Sequence, residues 1–313
     1  MDINQILELN YYDYKSLYDN DKVIKSIKLT NYDLNVIIGV KKRKEYLKTT
    51  VNYFKEAIKN SRLKIAITIV EQDDIPEDFD DYKNEDINYI FLPLNLLNTD
   101  NQYSRALSFN VGYYFTERCK YYLFHDCDLL VPNNFFKILE KYYLNSSFEW
   151  IQSFTKKRLS YLNEDTTKEV MNKIIDLNSL NINEHFFIPE RTGAAGGSTL
   201  VKREIFEEVG GFDPELFFGY APEDSVFMTK LCCLKKQLNF ISSCHQAHPS
   251  NYADNPPIEL YHQHHPTMEF SNPYLMVMRQ VNDMFWGYPY SSKMHYVNAK
   301  KEIMRKENLK FNK

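Results

Sequence analysis

An α/β protein, built on a mixed and mostly parallel sheet flanked by helices, is the fold class that this 313-residue sequence predicts. Three observations lead there. Leu34-Asn35-Val36-Ile37-Ile38-Gly39-Val40 is a nearly continuous apolar run of strand length. Leu47, Val51, Phe54 and Ile58 follow at spacings of four, three and four, on one face of a helix. The order strand, helix, strand, strand, helix, strand then extends to Phe124.

Residues 1–30 are polar and rich in Tyr and Asn, with weak helical spacing at Ile6, Leu7 and Leu9, and read as a leader packed on a domain spanning 31–270. The second strand, Leu63 to Val70, runs into Glu71-Gln72-Asp73-Asp74, and a third covers Ile87 to Leu92. A helix is expected from Ser104 to Arg118, and Tyr121-Tyr122-Leu123-Phe124 is the next strand. Ligands of parallel sheets collect at the carboxyl ends of strands, where Glu71-Gln72-Asp73 and Asp126-Cys127-Asp128 both fall. Between 145 and 192 the pattern weakens around a helix-like stretch, Thr166 to Leu177, which suggests an inserted, partly mobile region on the ligand side. Gly193-Ala194-Ala195-Gly196-Gly197-Ser198 leads to a short strand, a helix from Arg203 to Val209, and the helix-closing pair Gly210-Gly211. A helix from Asp224 to Lys236 and a strand from Leu238 to Ser242 complete the domain, and 271–313 is a partly helical, basic extension.

Composition narrows the function. A formal net charge of -4 gives no broad basic field, so nucleic acid is not an expected partner. Five cysteines without a CxxC pair indicate neither a disulfide framework nor a cysteine zinc site, and fit a reducing compartment. No apolar run approaches the ~18 residues of a membrane span and no signal pattern opens the chain, so the expectation is a cytoplasmic protein. The segment bearing Lys300, Lys301, Arg305, Lys306, Lys310 and Lys313 offers weak peripheral contact with anionic membrane or a partner enzyme, though a solvated helix explains it more simply.

Three Asp-x-Asp triplets occur, and only Asp126/Asp128 ends an apolar strand, where alternation sends both carboxylates to one side. Crowded carboxylates repel unless something compensates, and a hard divalent cation does so naturally. Hydrogen bonds to loop amides are the plainer alternative. Five of the eight histidines fall between 245 and 265, and imidazole with carboxylate suits Mn²⁺, Zn²⁺ or Fe²⁺ better than Ca²⁺. Glu223-Asp224 opens a helix after a turn containing Gly219 and Pro222, which N-capping explains blandly and a general base explains functionally.

In order along the chain these motifs resemble the metal-dependent GT-A glycosyltransferases, specifically the β-1,4-galactosyltransferase-like group and bacterial relatives of chondroitin and hyaluronan polymerases. The resemblance covers about Asn35 to Pro266. It is carried by Ile38 to Leu47, Val70-Glu71-Gln72, Tyr103 to Gly112, Phe124 to Leu130, Gly196-Gly197-Ser198, Gly210-Gly211-Phe212 and Phe218 to Asp224. It implies a GT-A, Rossmann-like nucleotide-sugar fold and transfer of a hexose or N-acetylhexosamine, with inversion, from a UDP-sugar to a hydroxyl of a glycan acceptor. It further implies that Lys41, Arg43, Gln72, Arg105, Asp126, Gly196 and Gly197 hold the nucleotide sugar, and that Asp128, with Asp126, meets Mn²⁺ or Mg²⁺. His262 is the best match for the histidine closing the metal shell, with His264 or His265 as a second; His245 and His248 come early. Asp224 corresponds to the catalytic base, with Glu223, Phe218 and Tyr220 on the acceptor side. Phe218 and Tyr220 replace the usual tryptophans, and Ala221-Pro222 replaces two glycines, which stiffens the turn. The rival readings are a metal-dependent phosphohydrolase of nucleotide sugars and a non-catalytic glycan-binding protein on the same fold.

Overall fold

The computed structural model describes residues 13–28, 31–77, 82, 87–97, 102–116, 118–141, 150–152, 159–188, 196–214, 223–234 and 258–266. Expectations for Phe218, Tyr220, His245, His248, the strand at 238–242 and the extension 271–313 lie outside these residues.

A seven-stranded sheet carries the domain. In spatial order it runs β1 (Ile24–Ser26), β4 (Ile87–Pro93), β3 (Ile65–Asp73), β2 (Leu34–Val40), β5 (Tyr121–Asp126), β10 (Ser198–Lys202) and β7 (Trp150–Gln152). Strands β4, β3, β2 and β5 are parallel, while β1, β10 and β7 join antiparallel. The sheet is therefore mixed and mostly parallel at its centre. After β2 the chain winds toward β3, and after β4 it returns to the other side of β2, leaving a switch point between the carboxyl ends of β2 and β5.

Both faces of the central strands are covered, which is why β2 reads as a run rather than an alternation. Val36, Ile38, Leu123 and Ile67 pack with Leu47, Val51 and Phe54 of α2 (Lys44–Lys59). Ile37, Val70, Tyr122 and Phe124 pack instead with Leu107, Phe109 and Val111 of α3 (Arg105–Phe115). Alternate strand residues thus feed two cores. The first helix, α1 (Tyr14–Tyr18), adds Tyr14 and Leu17 to the second core, and β1 pairs with β4, so the N-terminal stretch supplies an edge strand.

A second sheet of four strands stands beside the switch point, in the order β6 (Leu129–Leu130), β11 (Leu260–His262), β8 (Leu159–Leu162) and β9 (Phe186–Ile188). Phe135, Phe136 and Leu139 of α4 (Phe135–Leu139) and Val170 of α5 (Glu164–Asn172) share a core with its strands, and the short α6 (Ile182–His185) leads into β9. The weakly patterned 145–192 region thus supplies part of this sheet, with β8 parallel to β11. Pairing of β11 with both β6 and β8 carries His262 to the end of β5. On the α3 side, α7 (Arg203–Val209) ends at Gly210 with φ 72°, the left-handed helix close that the Gly pair suggests. It is followed by α8 (Glu223–Leu234).

Candidate active site

The first functional side chains sit where β2 and β5 end. Arg43 lies in the turn from β2 into α2, and its guanidinium reaches the carboxylate of Asp128. Asp128 is buried, 3.2 Å from Nε2 of His265 and 3.8 Å from Nε2 of His262. One ligand atom from each of Asp128, His262 and His265 lies within 4.8 Å of the others. Two imidazoles and a carboxylate suit a first-row divalent ion such as Mn²⁺, Zn²⁺ or Fe²⁺ better than Ca²⁺. It is Nε2 of His262, not its buried Nδ1, that faces Asp128. The residues therefore fit a divalent cation.

Packing fixes both rings. Tyr161 stacks on His262 with centroids 4.5 Å apart and planes at 23°, and Tyr46 meets His265 edge-on at 5.8 Å. Between them Gln263 is buried, its amide donating to the Tyr46 carbonyl and to Thr50. Burial lowers the pKa of His262, whereas the hydrogen bond to Asp128 raises that of His265. Asp128 is held well below the usual carboxylate range, since His262, His265 and Arg43 together outweigh its burial.

Beside His262, the resemblance offered His264 or His265 as the second histidine. The strand pairing of β11 ends at His262. The His264 amide donates to Thr167 Oγ1 and its ring lies by Phe187, so the structure brings His265 to Asp128 in its place. The histidine inside the motif, His125, is fully buried between Ser198 Oγ (2.7 Å) and the Leu129 carbonyl (3.0 Å). Burial lowers its pKa to about 4, which makes it a neutral tie between β5, β10 and β6.

Asp126 was expected to share the ion with Asp128. The structure turns it to Arg105, whose Nε lies 3.1 Å from Asp126 Oδ1. The same guanidinium pairs with Asp224 and lies 3.4 Å from Glu223, so one cation joins three carboxylates. Ser104 caps α3 by accepting from the Leu107 amide, which starts the helix where Arg105 can reach this cluster. Burial pushes Asp126 up to about 7 despite Arg105, and pushes Glu223 up to about 8. Glu223 Oε2 is buried without a hydrogen-bond partner among the described residues.

Gly196 and Gly197 form the floor between the two halves. A Cβ on Gly196 would lie 1.6 Å from Asp224 Oδ2, and Gly197 adopts φ +102° with its carbonyl accepting from the Asp126 amide at 2.8 Å. Only glycine fits the first position without moving the carboxylate.

Gln72 departs from its expected role as a nucleotide contact. Its amide donates to the Ser104 carbonyl and Ser108 Oγ, and accepts from the Ser104 amide. With its hydrogen-bonding groups engaged and the side chain fully buried, it anchors α3 rather than facing the cleft. Lys41 is half-buried just beyond β2.

The signals that sequence reading lacked are contacts between elements distant in the chain. Tyr161 and Tyr46 flank the histidines from β8 and α2, and Lys230 sits inside α8, where its Nζ donates to the Gly211 carbonyl (2.7 Å) and Asp213 (3.0 Å). Phe227 stacks on Phe212 at 3.9 Å beside that pair. Together they fasten the helix bearing Glu223 and Asp224 to the end of α7.

No family model matches the chain, and no curated protein matches it. Among solved structures, it is similar to the catalytic domain of Drosophila β1,4-galactosyltransferase 7 in complex with xylobiose, at 19% identity and TM-score 0.39, over 64% of this chain and 60% of that one. It is also similar to the mannosyltransferase PcManGT from Pyrobaculum calidifontis in complex with GDP-Man and Mn²⁺, at 12% identity and TM-score 0.44, over 94% and 76%. GalNAc-T7 with UDP, GalNAc and Mn²⁺ aligns at 13% identity and TM-score 0.47, over 90% and 55%. The chain thus spans less than two thirds of the galactosyltransferase and of GalNAc-T7, and none of these likenesses assigns it an activity.

Proposed function

We propose that the chain is a metal-dependent, inverting glycosyltransferase that moves a hexose or N-acetylhexosamine from a UDP-sugar to a hydroxyl of a glycan acceptor. The observation that carries this reading is the juxtaposition of two groups at one strand end. The Asp128, His262 and His265 set lies on one side, and Arg105 links Asp126 to Glu223 and Asp224 on the other.

Asp128, His262 and His265 would hold a divalent cation, Mn²⁺ rather than Mg²⁺, which when bound supplies Lewis-acid compensation for the charge that grows on a diphosphate leaving group. Arg43, beside Asp128, and Arg105, beside Asp126, add fixed positive charge from the two sides. Asp224 takes the proton of the acceptor hydroxyl as that oxygen forms its bond to the anomeric carbon, while the bond from that carbon to phosphate breaks and UDP leaves. Glu223, pushed up to about 8 by burial, keeps its proton at neutral pH and can donate a hydrogen bond to an acceptor oxygen. Arg105 touches both the strand end and the helix start, so donor binding and the base are coupled through one guanidinium.

The same reading takes residues 31–270 as the catalytic domain and a cytoplasmic location with a part in polysaccharide synthesis. Cys119 and Cys127 are buried and form no disulfide among the described residues, which suits a reducing compartment, and no helix among the described residues is long and apolar enough to cross a membrane. The test is Asp224→Asn, assayed for UDP binding and for transfer. Donor binding should persist while transfer falls by roughly 10²–10⁴-fold. Near-normal turnover would remove Asp224 from the role.

A further inference from the structure

At the opposite end of the sheet the chain gathers cations that the proposed reaction does not use. Lys120 stands just before β5 and Arg118 two residues earlier, while Lys202 ends β10 and Arg203 opens α7. Register brings them together, because β10 is antiparallel to β5 with Lys202 opposite Tyr121, and the Arg203 amide donates to the Lys120 carbonyl at 3.0 Å. The Cys119 amide donates to Tyr122 Oη at 2.8 Å, which fixes the loop between Arg118 and Lys120. Among the described residues these four cations and Glu204 line a cavity of about 310 Å³. Glu207 lies 3.8 Å from Arg118 at its border.

Among the described residues these four cations face two carboxylates, Glu204 and Glu207, in a chain whose formal net charge is -4. Like charges held at one strand end repel, and an anion relieves that repulsion. A phosphate monoester carries about -1.5 to -2 at neutral pH, with three acceptor oxygens for lysine and arginine donors. Along β5 the cavity stands about 20 Å from Asp126, six residues away in extended chain, so it is separate from the candidate active site.

We propose that the cavity formed by Arg118, Lys120, Lys202 and Arg203 is a second, metal-independent site that binds a phosphate or diphosphate group. The group can reach it on a soluble molecule or on a lipid head. The full chain is titrated calorimetrically in EDTA with inorganic pyrophosphate, and separately with phosphatidic acid in phosphatidylcholine vesicles, with phosphatidylcholine alone as blank. Lys120→Ala/Arg203→Ala is the comparison, both side chains being exposed; Lys120→Glu serves if the double variant does not fold. Saturable binding of either probe, weakened at least tenfold in the variant, supports the site, and the probe that binds identifies the source. Absence of saturable binding to both probes, or equal binding by wild type and variant, overturns it.

Discussion

Replacing Gly196 by alanine separates a role in chemistry from a role in folding. The new Cβ would lie 1.6 Å from Asp224 Oδ2 and 2.0 Å from its Cγ, and the obstructing atoms are the end of a short side chain rather than backbone. The carboxylate has to retreat by roughly 2 Å to reach ordinary van der Waals contact. Such a rotation draws Asp224 away from Arg105, which its carboxylate now contacts. A displacement near 1 Å at a reacting group costs about 10²-fold in rate, so Gly196→Ala should lose roughly that factor in kcat. Stability should change by less than about 1 kcal/mol, because the side chain can move without unpacking the core. The neighbouring Gly197→Ala should behave oppositely. Its φ of +102° strains any side chain and its Cβ would lie 2.8 Å from Leu129 Cδ1, so the loss appears as a lower unfolding midpoint. Steady-state transfer of sugar from UDP-sugar to acceptor, with thermal melts of both variants, reads the difference. Gly196→Ala acts on the proton transfer that Asp224→Asn abolishes, so the double variant should be no slower than Asp224→Asn alone. A Gly196→Ala enzyme within twofold of wild type in kcat would refute the reasoning.

Three further tests probe the frame around the site. His265→Ala should weaken Mn²⁺ binding by at least about tenfold in calorimetry, and His264→Ala should leave it unchanged; the reverse ranking would return His264 to the ion. Glu71 is buried, accepts from Tyr89 Oη and the Glu77 amide, and is pushed up to about 7 from 4.5, chiefly by burial. A raised folded-state value means the folded chain holds a proton that the unfolded chain releases, so its stability contribution is present at low pH and lost as pH rises from 4.5 through about 7. The interval amounts to roughly 3 kcal/mol, and Glu71→Gln should remove that part of the slope between urea melts at pH 5 and pH 8; an unchanged slope would contradict it. Lys230→Met leaves Asp213 buried without this cation and should cost about 3–5 kcal/mol, whereas pairing it with Asp213→Asn should recover much of the loss. Equal stability of the single and double variants in denaturant melts would show that the ion pair is not what holds α8 in place.

What could be read from the chain alone follows from how local each feature is. The run from Leu34 to Val40 is a strand at the expected residues, and Leu47, Val51 and Phe54 do face the core, because both patterns arise within one element. The strand read as Leu63 to Val70 running into Glu71-Gln72-Asp73-Asp74 is β3 from Ile65, with its ladder extending through Asp73, paired with Pro93 of β4. Polar Glu71 and Gln72 disguised that extension, since their partners Tyr89 and Ser104 lie far along the chain. Asp128 and His262 were legible as motif residues. The choice of His265 over His264 depends on where β11 ends and on Thr167 of α5, and neither is written in the spacing of the histidines. Arg105 could be singled out by its motif, but its bridge across Asp126, Glu223 and Asp224 comes from the tertiary approach of α3 to α8.

The central claim is metal-dependent transfer to an acceptor, and mass spectrometry of the products tests it most directly. Purified chain is incubated with a panel of UDP-sugars and with mono- and disaccharide acceptors, in Mn²⁺ and in EDTA. The account expects an acceptor one sugar heavier, formed with UDP only when Mn²⁺ and acceptor are both present. Free sugar released at full rate without acceptor would identify a phosphohydrolase, and glycan binding with no turnover under any condition would identify a binding protein; either result contradicts the account.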